Sequence, residues 1–235
     1  MKQVGKHAWG TPKCAISLVK NVWSKIETDK DYSFLLARNP YNRLVSVYTE
    51  KVIDVNRRYA RQHGVTPTDY DVRGNFMTKV ARKFTNVNKS NDPKFTVKTL
   101  SFKQFALWID KDWLQRQDDH VAPQIRDKPN FVFDDIIFVE DLPGCFEIPR
   151  DRLDVEIDCS KNNLLLLGGT DKGDSHATPT KEDLNDVTEA WDKPAEFWWT
   201  HGAVPKDYSL MYDDELKDHV YESFREDFEY LGLSK

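Results

Sequence analysis

Residues 34–48, FLLARNPYNRLVSVY, constrain the fold of this chain more than any other segment. Phe34, Leu35, Leu36 and Ala37 form an unbroken apolar run, the pattern of a strand covered on both faces. Arg38 closes that run at the strand's carboxyl end, where open α/β sheets hold their ligands. Asn39 suits a helix N-cap and Pro40 the first turn, because proline has no N–H to leave unpaired. Arg43 and Ser46, three apart, share one face of the helix that follows. An arginine fork, a hydroxyl and a helix N-terminus at one sheet edge describe an anion site. A surface arginine beside an ordinary turn is the plainer reading, and spacing alone does not separate the two.

Residues 38–48, RNPYNRLVSVY, resemble the 3′-phosphate-binding motif of sulfotransferases that use 3′-phosphoadenosine 5′-phosphosulfate (PAPS), most closely in its carbohydrate sulfotransferase form. Asn39 stands where that motif usually has an aspartate. Upstream, residues 11–20, TPKCAISLVK, are similar to the family's 5′-phosphosulfate loop, in which a proline–lysine pair precedes a helix start. Lys13 supplies a point charge there, and backbone N–H groups from Ala15, Ile16, Ser17 and Leu18 would face a phosphate. Ala15, Ile16 and Leu18 depart from a frequent glycine, threonine and tryptophan, which removes side-chain contacts and leaves backbone ones. Three further segments match in order: the aromatic residues 102–108 with Asp119, His120, Pro123 and Gln124; residues 136–142, IIFVEDL; and the carboxyl-terminal stretch through Asp227, Phe228 and Gly232.

The resemblance implies an α/β fold akin to nucleotide kinases, a three-layer domain with a mostly parallel central sheet flanked by helices. It implies transfer of a sulfuryl group from PAPS to a hydroxyl, of a carbohydrate for preference, by in-line displacement and without a metal. Lys13 would stabilise charge on the leaving phosphate, and Arg38 with Ser46 would hold the 3′-phosphate. Cys14 to Leu18 would line the 5′ side. His120 is the candidate base, since imidazole titrates near neutrality and the neighbouring aspartates can orient it; a structural role is the alternative. His7 and His201 are the rival histidines. Two other functions stay open: a non-catalytic nucleotide- or glycan-binding relative, and a P-loop kinase. The latter's Gly-x-x-x-x-Gly-Lys-Ser/Thr pattern is absent.

A chain of 235 residues supports one substantial core, so one domain over residues 1–235 is expected. No apolar run is long enough to span a membrane, and MKQVGKHAWG lacks a signal peptide's apolar core. A cytoplasmic protein is therefore expected, with a trimmed catalytic domain as the alternative. Cys14, Cys145 and Cys159 have no metal spacing and leave at least one thiol unpaired, as a reducing compartment permits. Cys14 is either a reactive thiol or a small packing residue. Residues 51–98 hold eleven Lys/Arg against four Asp, +7 in a chain of net −5, which leaves −12 elsewhere. That asymmetry fits a basic surface for an anionic ligand or a solvated insertion at about 55–100. Acidic overall charge and the lack of a recognition motif disfavour nucleic acid. Oligomeric state is not legible.

Strands are expected at 4–9, 32–37 and within 131–139. Helices are expected from Ser17, from Asn39 to about Val55, after a Ser101–Gln104 capping box with Phe102, Phe105, Ile109 and Trp113 inward, and over 213–231. Residues 164–167 are apolar and ambiguous in type. Trp191, Trp198 and Trp199 suit either sugar stacking or, as large aromatics more often do, core packing. Glu140 is either a ligand contact or a strand-end residue holding a loop.

Overall fold

The structure, a computed structural model, describes residues 2–4, 6–14, 26, 28–54, 99–109, 118–126, 130, 132–141, 144–156, 184–201 and 203–235. The strands are β1 (Lys2–Val4), β2 (Ala8–Gly10), β3 (Phe34–Ala37) and β4 (Asp135–Phe138). The α-helices are α1 (Pro40–Tyr48), α2 (Phe102–Leu107), α3 (Glu147–Leu153), α4 (Ala195–His201), α5 (Asp214–Ser223) and α6 (Arg225–Leu231). Expected elements at Ser17, Trp113 and 164–167, and most of the basic segment 51–98, lie outside the described residues. The chain divides into two compact units, 1–43 with 123–175 and 225–234, and 44–122 with 176–224 and Lys235.

The first unit is built on a sheet ordered β1-β2-β3-β4, in which β1 runs antiparallel to β2 and the other pairs are parallel. The expected single strand at 4–9 is instead a hairpin that turns at Lys6 and His7. All four β3 residues are fully buried, as an apolar run between two covered faces requires. Their alternation builds two cores. Phe34 and Leu36, with Ala8, Ile137 and Val139, face Phe146 and Leu153 of the α3 region. Leu35 and Ala37, with Trp9, Ile136, Phe138 and Phe133, face Tyr230, Leu231 and Leu233 at the end of α6. Period-two geometry thus gives a helix–sheet–helix sandwich, an α/β architecture. The amino ends of the strands are stapled by Tyr32 Oη–H to Asp135 (3.0 Å) and Ser33 N–H to Asp134 (2.7 Å). Gly232, at φ +67°, ends α6, and the Leu233 N–H reaches back to the Phe228 carbonyl at 2.9 Å.

In the second unit the expected capping box is present: Ser101 Oγ accepts from Gln104 N–H and Gln104 Oε1 accepts from Ser101 N–H. It starts α2, which buries Phe102 and Phe105 against Tyr48, while Tyr48 Oη–H donates to the Leu100 carbonyl at 2.8 Å. The helix expected to run to Val55 is α-helical only to Tyr48 and continues as a π-helix over Thr49–Asp54. There Thr49 Oγ1–H donates to the Val45 carbonyl at 2.9 Å, the kind of side-chain competition that loosens an α ladder. The terminal helix expected over 213–231 is two helices. Phe224, at φ −119°, shares its N–H between the Val220 and Tyr221 carbonyls and interrupts the ladder. Leu216, Val220, Phe224 and Phe228 are nevertheless all buried. Among the described residues no helix is long and apolar enough to cross a membrane.

Candidate functional site

Where β3 gives way to α1 in the first unit, the surrounding side chains fix one another. Asn39 Oδ1 accepts from Tyr41 N–H at 2.9 Å, the expected cap. Glu140, just past β4, accepts from Asn39 N–H and Asn42 Nδ2 through one oxygen, both at 3.0 Å, and that oxygen lies 3.8 Å from Arg38 Nε. A carboxylate there also suits the positive end of the helix. Glu140 thus holds the loop, one of its two expected roles.

Loop 11–14 sits beside this turn. Cys14 N–H closes it onto the Thr11 carbonyl at 3.1 Å. Lys13 has φ +72°, a left-handed conformation that costs a non-glycine residue about 1–2 kcal/mol. Two arginines hold it there: Arg43 Nε–H donates to the Pro12 carbonyl at 3.2 Å and Arg38 Nη1–H to the Lys13 carbonyl at 3.3 Å. Arg38 Nε is buried and makes no hydrogen bond, a costly state for a guanidinium N–H and one that an anion would relieve.

Beneath the loop lies a buried polar cluster. Gln124 Oε1 accepts from Arg38 N–H (2.9 Å) and from Cys14 Sγ–H (3.0 Å), while Nε2 donates to the Arg38 carbonyl (2.7 Å). Asp227, with no exposed surface, accepts from the backbone N–H groups of Gln124 (2.8 Å) and Ile125 (3.1 Å). Burial pushes the Asp227 carboxyl up, against the lowering influence of Arg43 and those two N–H groups. Burial likewise pulls Arg43 down, against Cys14 and Asp227. The Cys14 thiol is raised by burial despite Arg43, so it packs and donates, and is not the activated thiolate considered from sequence.

In the second unit, His120 Nδ1–H and its backbone N–H both donate to Asp118 Oδ1, at 2.7 and 2.9 Å. A carboxylate can only accept, so Nδ1 carries a proton and a neutral ring would hold its basic lone pair on Nε2. The two rival histidines bond to backbone: His7 Nδ1–H meets the Tyr32 carbonyl at 2.7 Å, and His201 Nδ1–H meets the Phe197 carbonyl at 2.7 Å. Trp198 and Trp199 are buried, and Trp199 Nε1–H donates to the Val52 carbonyl at 3.3 Å, so both are packing residues.

A sequence model of the sulfotransferase family matches residues 16–141, more than half of the chain. The chain belongs to the sulfotransferase family. No curated protein and no solved structure matches it. Sulfuryl transfer is therefore its general activity. Arg38, Ser46, His120, Gln124 and Glu140 fall inside the family match, and Lys13, Cys14 and Asp227 outside it.

Of the residues expected at this sulfotransferase site, Lys13, Cys14 and Arg38 come together in the first unit. Ser46 is half-buried on α1, and His120 lies with Asp118 in the second unit. Ala15, Ile16, Ser17 and Leu18 lie outside the described residues. Arg43, read from sequence as sharing a helix face with Ser46 beside the anion site, is buried and bonds to the Pro12 carbonyl of the loop. The side chains of Gln124 and Asp227 were missed as organisers. A glutamine after proline and an aspartate in an acidic helix carry no local signal for that role.

Proposed function

We propose that this sulfotransferase takes its sulfuryl group from PAPS and delivers it to a hydroxyl, of a carbohydrate for preference. The observation that carries the reading is Arg38: it stands at the carboxyl end of β3 beside the start of α1, with a buried Nε–H that makes no hydrogen bond and has the Glu140 carboxylate 3.8 Å away. The chemistry of the donor set suits a phosphate, since an arginine, a lysine and a helix start are all anion-binding groups. When bound, PAPS supplies the activated sulfuryl group and a phosphate that leaves.

The residues divide the work. Arg38 and Ser46 bind the 3′-phosphate and so select this donor over nucleotides lacking it. Lys13, with the N–H groups of Ala15, Ile16, Ser17 and Leu18, would form the 5′ side, and the lysine charge offsets what builds on the leaving oxygen. His120, with Nδ1–H held by Asp118 at 2.7 Å, takes the acceptor's proton at Nε2. Positioning and charge stabilisation dominate, as in phosphoryl transfer.

Calorimetric titration with 3′-phosphoadenosine 5′-phosphate, with ATP as control, tests the donor. Binding of the first and not the second is expected, and Arg38→Ala should weaken it. Unchanged affinity in Arg38→Ala refutes the phosphate assignment. His120→Ala should leave that affinity intact and cut turnover by about 100-fold or more; full activity moves the base elsewhere.

A further inference from the structure

The side-chain amide of Gln124 makes a paired contact with one backbone residue. It exchanges an N–H and a C=O bond with the backbone of that residue, Arg38, at 2.9 and 2.7 Å. That two-point exchange is the pattern two strand residues make across an antiparallel ladder. The β3–β4 register ends at Ala37 opposite Phe138, so Arg38 is the first residue past the ladder. The amide therefore stands in for a strand neighbour just past the end of the parallel ladder, which fixes the backbone from which the guanidinium projects. The same Oε1 also accepts from Cys14 Sγ–H, tying in the loop that Arg38 holds by the Lys13 carbonyl. Asp227 secures the base of the amide through the Gln124 and Ile125 N–H groups. Only a carboxamide offers a donor and an acceptor on one fork; glutamate lacks the donor and asparagine is a methylene shorter.

We propose that Gln124 is a positioning residue for donor recognition: through the Arg38 backbone it aims the arginine at the donor's 3′-phosphate. This rests on the PAPS reading above. A buried glutamine that merely satisfied polar groups would affect stability without favouring one nucleotide over another.

The test compares the affinities of the full chain for 3′-phosphoadenosine 5′-phosphate and adenosine 5′-phosphate, by calorimetry. The variants are Gln124→Leu, Gln124→Glu, Arg38→Ala and the Arg38→Ala/Gln124→Leu double. Wild type prefers the 3′-phosphorylated nucleotide. Each Gln124 variant lowers that preference by about tenfold or more, the scale on which small misplacements of a binding group register. Affinity for adenosine 5′-phosphate stays within about twofold, and the double variant loses no more preference than Arg38→Ala alone. Gln124 variants that melt earlier yet keep the preference overturn the inference while the donor reading stands. A wild type with no preference overturns both. If neither Gln124 variant folds, the wild-type side-chain amide resonances of Gln124 decide: they shift with the 3′-phosphorylated nucleotide and not with the other, and identical responses overturn the proposal.

Discussion

Asp227 and Arg43 are buried ionisable groups whose charges favour one another, so removing either one withdraws a compensating charge from the other. Asp227→Asn keeps the shape but turns an NH2 toward one of the two backbone N–H groups that the carboxylate served. Arg43→Met keeps the length and gives up the charge and the bond to the Pro12 carbonyl. Breaking a buried pair from one side costs about 3–5 kcal/mol. At roughly 2–4 °C per kcal/mol for a chain of this size, each single variant should melt about 6–20 °C below wild type. The double variant removes both charges together. Burial pushes the carboxyl up and the guanidinium down, so forming both charges in this interior is itself expensive. The double should therefore lose about 2 kcal/mol less than the singles sum to, and replacing whole buried pairs with apolar groups is often neutral. Urea and thermal unfolding of the four proteins measures the coupling. Singles that add to within about 0.5 kcal/mol would refute the idea that the two charges serve each other.

The raised Asp227 carboxyl also has a pH signature: the native state keeps its proton to higher pH than the unfolded chain, so its contribution is whole below the unfolded value and is lost as pH rises through the folded one. The wild-type urea midpoint should decline across that window, and Asp227→Asn should lack this component of the decline. Tyr48→Phe strips the Leu100 carbonyl of its 2.8 Å donor inside a packed core and should cost about 1–3 kcal/mol in unfolding free energy; a loss below about 0.5 kcal/mol contradicts the bond. Ser101→Ala removes the cap of α2 and should cost about 1 kcal/mol by the same assay, with no change in donor affinity. Asp118→Asn leaves His120 without its orienting carboxylate, so turnover should fall about tenfold or more at unchanged donor affinity, and unchanged turnover removes Asp118 from the mechanism.

Local signals carried over into structure wherever the deciding partners are close in sequence. The Phe34–Ala37 run, the Asn39 cap and the Ser101–Gln104 box each depend on a few consecutive residues, and each appears where its pattern predicts. Gln124 and Asp227 could not be read in the same way. Gln124 bonds to Arg38 across 86 positions and to Asp227 across 103, and no periodicity encodes such a pairing. Arg43 shows the limit of face arithmetic. Its helical position was legible, but whether its long side chain turns to solvent or to the Pro12 carbonyl depends on a loop 31 residues earlier. The π-helical continuation after Tyr48 and the interruption at Phe224 are likewise local hydrogen-bond exchanges inside segments whose apolar spacing reads as unbroken helix.

The grip of Arg43 and Arg38 on loop 11–14 has a directional consequence. In a trans peptide the C=O and N–H point opposite ways. An arginine drawing the Pro12 carbonyl toward itself therefore turns the Lys13 N–H to the far side of the same plane. Arg38 does likewise to the Lys13 carbonyl, and the Cys14 N–H on that second plane finds the Thr11 carbonyl. Each arginine thus works as a rudder for a peptide dipole it never touches at its other end. The orientation of the loop's amide groups is set by the two cations that bond its carbonyls.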